Sequence, residues 1–77
     1  MTIKQAFKTR IWEFPELYKP TYDVAFINNQ GEHDEVQFTV NSMGTAIQDL
    51  EELFADFCKE NGYRRNSVLS ITSVEPN

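Results

Sequence analysis

Residues 42–61 read SMGTAIQDLEELFADFCKEN, and within them Met43, Ala46, Ile47, Leu50, Leu53, Phe54, Phe57 and Cys58 recur at the three-and-four spacing of one helical face. The spacing predicts an amphipathic helix about 24 to 30 Å long, at about 1.5 Å per residue. Thr45 followed by Gln48 is the expected capping box, with Ser42 as a rival cap one turn earlier. Gly62, after Asn61, supplies a residue that tolerates the left-handed conformation in which helices commonly end.

A helix with one apolar stripe needs an apolar floor, and the flanking sequence provides it at period two. Tyr22, Val24 and Phe26 alternate with Asp23 and Ala25, and Val36, Phe38 and Val40 alternate with Glu35, Gln37 and Thr39. These are two strands. Asn28, Asn29, Gln30, Gly31 and Glu32 between them suit a hairpin turn. Only a register in which paired residue numbers add to an even value keeps Val24, Phe26, Val36 and Phe38 on one face. After the helix, residues 66–75 read as a further strand, with Val68, Leu69, Ile71 and Val74 in imperfect alternation and Leu69 and Ile71 extending the floor. Before the hairpin, residues 6–14 offer one more strand. Lys8, Arg10, Trp12 and Phe14 would lie on one side and Phe7, Thr9 and Ile11 on the other.

The fold class is therefore α+β in a single domain spanning residues 1–77. It is a three- or four-stranded, mainly antiparallel sheet with one amphipathic helix on one face, in the order (β)ββαβ. The remaining face, with Asp23, Ala25, Ile27, Gln37 and Thr39, is semi-polar and suits either solvent or a second copy in a homodimer.

Composition narrows the function class. About 40% of residues are apolar or aromatic, which is the make-up of a globular domain rather than of a disordered acidic tail. The one cysteine, Cys58, cannot form an internal disulfide, and an exported domain this small usually needs several; a reducing cytoplasm is the expected setting. No apolar run approaches the roughly 20 residues of a membrane span, and Lys4, Lys8 and Arg10 interrupt any signal-like stretch.

Charge is the feature that points to a partner. The formal net charge is −5, yet residues 21–60 hold nine carboxylates against the single Lys59, so the flanking segments are slightly basic. On the helix, Asp49, Glu52, Asp56 and Glu60 follow one another at i+3, i+4 and i+4, with Glu51 to one side. Acids in the last two helical turns oppose the negative end of the helix dipole, at about 0.3 to 1 kcal/mol each, an unfavourable local choice. A second cluster, Glu32, Asp34 and Glu35 around His33, marks the hairpin end. A helix running back from Val40 is expected to bring Asp56 and Glu60 toward it, making one acidic lobe.

Such a lobe would meet a basic protein through a focused field with rapid, salt-sensitive association. The expectation is a non-enzymatic binding module, an adaptor or an inhibitor that offers a nucleic-acid-like surface. Its contact residues are Glu32, Asp34, Glu35, Asp49, Glu52, Asp56 and Glu60. The competing expectation is a protein that binds single-stranded nucleic acid through Lys4, Lys8, Arg10, Arg64 and Arg65 with Trp12, Phe14, Tyr18 and Tyr63. An isoelectric point near 4.6 opposes it.

Catalytic and cofactor chemistry finds little support. His33 is the only imidazole, and consecutive strand residues point to opposite faces, so no metal ligand set forms around it. Cys58 lies on the apolar stripe, away from any base. Gly31, Gly44 and Gly62 are scattered, which excludes a phosphate-cradling loop and leaves no cofactor to expect. The exposed carboxylates lack the apolar pocket that raises a pKa for general acid work.

Overall fold

The computed structural model describes residues 1–9, 19–63 and 67–74. The element order is α1 (Ile3–Lys8), β1 (Thr21–Ile27), β2 (His33–Thr39), a 3₁₀ turn (Met43–Thr45), α2 (Ala46–Glu60) and β3 (Ser67–Ser73). The strands form one antiparallel sheet in the order β2-β1-β3, so the class is α+β as expected from the pattern.

β1 and β2 pair from Thr21↔Thr39 to Ile27↔His33, the even register. It places Val24, Phe26, Val36 and Phe38 under the helix and Asp23, Ala25, Ile27, Gln37 and Thr39 on the other face. The turn between the strands is organised by Asn28, whose side-chain oxygen accepts the N–H groups of Gln30 (2.9 Å) and Glu32 (3.1 Å). Gly31 sits at φ +77°, where a side chain would be strained.

α2 buries Ala46, Leu50, Phe54 and Cys58, a strict i+4 row, while Ile47 and Phe57 pack at its margins. Its last turn closes as a Schellman motif. Gly62, at φ +71°, donates to the Lys59 carbonyl (3.3 Å), and Tyr63 donates to that of Cys58 (2.8 Å). The aromatic side of the core centres on Phe26, edge-on to Phe54 (5.1 Å) and Phe57 (5.9 Å) and tilted against Tyr63 (6.0 Å).

Four expectations are corrected. The capping box at Thr45 and Gln48 does not form: Thr45 leaves the 3₁₀ turn at φ −111°, ψ 9°, without the extended geometry of a cap, and its hydroxyl donates to Asp49 instead. Leu53 is 37% exposed, because the buried row runs through Leu50 and Phe54 and leaves it on the flank. Leu69 is 42% exposed because it is the extra residue of a β-bulge. Ala25 pairs with Ser70 and Phe26 with Val68, so Leu69 opposes nothing and Val68 takes the core position. Residues 6–8, expected in a strand, belong to α1, which a capping box starts: Thr2 Oγ1 accepts the Gln5 N–H (3.2 Å) and Gln5 Oε1 accepts that of Thr2 (3.0 Å). The rest of the expected strand, residues 10–14, lies outside the described residues.

α1 packs against α2 and β3 on the same side of the sheet, adding Ile3, Ala6 and Phe7 to the core, with Phe7 edge-on to Tyr22 at 5.4 Å. Met1 and Val68 exchange two backbone hydrogen bonds (2.9 and 3.2 Å) at the start of the β3 edge. No comparable partner lies along β2 among the described residues.

Candidate functional site

Three of the four helical acids lie beside the loop that follows β2. Asp49, Glu52 and Asp56 line an open groove of about 240 Å³ with Leu53 and with Thr39, Val40 and Asn41. Helical spacing stacks Asp49, Leu53 and Asp56 along one flank of α2, and the packing of Phe57 against Phe38 (6.1 Å) holds that flank over β2.

Asp49 has a structural task. Its Oδ2 accepts the Asn41 N–H and the Thr45 hydroxyl, both at 3.0 Å, so it fastens the β2–α2 connection to the first turn of the helix. Glu52, Asp56 and Glu60 are exposed, with Glu60 one turn further toward the helix end.

The hairpin acids lie elsewhere. His33, Asp34 and Glu35 line a separate open depression of about 280 Å³. Strand alternation sends Asp34 to the helix side and Glu35 to the opposite face, and Glu32 belongs to the exposed turn. The groove at Thr39–Asn41 is at the far end of β2 from this depression, about 20 Å along a seven-residue strand. The acids therefore line two separate depressions, while Phe57 and Tyr63 against Phe26, the partner of Asp34, carry the end of α2 toward the hairpin.

The sequence reading missed Asp23. It lies on the sheet face away from the helices, cross-strand to Gln37 and Thr72 and diagonal to Glu35. Partial burial, the side-chain hydrogen bond to Glu35 and the repulsion of that carboxylate push its pKa up to about 6, with His33 pulling the other way. Asp23 therefore takes up a proton at a higher pH than an exposed aspartate does. The signal was present in principle: the even register places Asp23 and Glu35 on one face.

The remaining chemistry is sparse. Cys58 is buried, and burial pushes its thiol up, away from the reactive thiolate. Among the described residues no group of three or more His, Cys, Asp or Glu is placed to hold a metal ion, and no helix is long and apolar enough to cross a membrane. Of the residues expected to grip nucleic acid, Lys4 and Lys8 are exposed on α1 and Tyr63 is packed against Phe26 and Phe57. Arg10, Trp12, Phe14, Tyr18, Arg64 and Arg65 lie outside the described residues. Comparisons with protein-family models, curated proteins and solved structures find no match for this chain.

Proposed function

We propose that this protein is a binding module that engages a basic partner protein through the flank of α2. The observation that carries the reading is the groove in which the exposed carboxylates of Glu52 and Asp56 border the half-exposed apolar side chain of Leu53. An apolar strip beside carboxylates suits the stem and head of a lysine or arginine, which packs its methylenes and keeps its charge at the rim. The surrounding field favours the same partner, since residues 21–60 carry a net charge of −8. A protein whose basic surface normally holds nucleic acid fits this description, and occupying that surface would make the module an inhibitor.

The test is capture of partners from lysate at low and high salt by the native chain and by the Glu52→Lys, Asp56→Lys, Glu60→Lys triple variant. Salt-released basic proteins bound by the native chain and lost by the folded variant are the expected result. Equal capture by both overturns the reading.

A further inference from the structure

The backbone of β2 carries a consequence for how that partner is held. Asn28 donates to the Glu32 carbonyl and Val40 to that of Pro20, both at 3.0 Å, at the two ends of the β1–β2 ladder. Hydrogen-bonded and non-bonded pairs alternate along an antiparallel ladder. The even-numbered residues of β2 therefore bond to β1, and His33, Glu35, Gln37 and Thr39 turn their N–H and C=O groups outward from the sheet.

This free edge is closed at one end and open at the other. Asp34 Oδ1 accepts the outward N–H of Glu35 at 2.9 Å, which blocks a second strand near the hairpin. No such block occurs at Gln37 or Thr39 among the described residues, and Thr39 also lines the acidic groove.

We propose that the Gln37–Thr39 edge of β2 accepts an extended basic segment of another protein as a fourth strand, whose lysine or arginine side chains enter the groove of Glu52, Leu53 and Asp56. The inference rests on the acidic-docking reading above and adds its mode. Backbone pairing supplies affinity and the alternate side chains supply choice of partner. Charge complementarity selects the occupant: side chains on the helix side of an added strand meet Glu52 and Asp56, and those on the other side approach Glu35. A second copy of the chain would bring the same carboxylates together across β2, with a net charge of −5 on each molecule.

The probe is an octapeptide alternating Lys and Val, compared with the same peptide N-methylated at every residue, which keeps the charge and removes the strand donors. Binding is measured by titration, and amide exchange at Gln37 and Thr39 by NMR. The expected result is slowed exchange at both amides and binding at least about tenfold weaker for the methylated peptide. Gln37→Pro, which removes an outward donor on an edge strand, should weaken binding likewise, with circular dichroism as its check of folding.

Equal binding of the two peptides, or binding without protection of the two amides, overturns strand addition and leaves charge docking standing. Protection of both amides with affinity unchanged in the Glu52→Lys, Asp56→Lys variant removes the groove from the proposal and counts against the docking reading. Failure of both peptides to bind, or a dimer of the free chain by light scattering at low salt, also overturns the proposal, the latter by giving the edge to a second copy.

Discussion

The Asn41 backbone N–H donates to Asp49 Oδ2 at 3.0 Å, joining the residue just past the sheet to the first turn of the helix above it. The Thr45 hydroxyl shares that oxygen, so one carboxylate serves the loop and the helix start together. Asp49→Ala should cost about 1 to 2 kcal/mol by urea unfolding, from the loss of two bonds to a charged acceptor. Glu52→Ala, at an exposed position, should stay within about 0.5 kcal/mol. Equal costs would mean that Asp49 is only surface charge.

Stability should fall as pH rises from about 4 to about 6, and Asp23 is the reason. Its folded pKa of about 6 lies above the ordinary aspartate value of 3.8, so in that window the unfolded chain releases a proton that the folded chain keeps. Below the window both states are protonated and the contribution is fully present; above it the contribution is lost. With solvent screening at a half-buried site the effect is about 1 kcal/mol. Asp23→Asn keeps a hydrogen-bonding partner for Glu35 and should flatten the thermal-midpoint profile over that window.

Neighbouring leucines of α2 should respond differently to truncation. Leu50 is fully buried, and Leu50→Ala should cost about 2 to 5 kcal/mol. Leu53 is 37% exposed, and Leu53→Ala should cost under about 1 kcal/mol while weakening capture of the basic peptide. Denaturant midpoints of the two variants check the first contrast and peptide titration the second.

Deleting Leu69 should be tolerated. The deletion leaves Val68, Ser70 and Ile71 in regular alternation, with both apolar residues still facing the core. Stability within about 1 kcal/mol of the native chain is expected. Deleting Ser70 instead leaves Leu69 at the outward position between Val68 and Ile71, and similar stability of the two deletion variants in urea unfolding would show that the bulge itself, rather than either side chain, is dispensable.

The hairpin, its register and α2 were legible because two periods, two and 3.6, were kept without interruption through residues 22–58. Periodicity was less informative where one extra residue entered a strand: Val68 and Ile71 both face inward although three residues apart, which only the unpaired Leu69 reconciles. α1 was missed because six residues show too little of a helical period, although Thr2 and Gln5 spell the capping box that starts it. The acidic residues were identified by composition, but alternation along β2 separates Asp34 from Glu35, and Asp56 shares a groove with Thr39. Charge counted along a chain does not record direction.

β1 is hydrogen-bonded on both sides, to a neighbour a short turn away and to a strand synthesised some forty residues later. Until residues 67–73 have left the ribosome, the hairpin is paired on one side only, leaving the other flank of the middle strand without its mate. Nascent or prematurely terminated chains should therefore be the form that needs chaperone protection, with Val24 and Phe26 beside an unsatisfied row of amides.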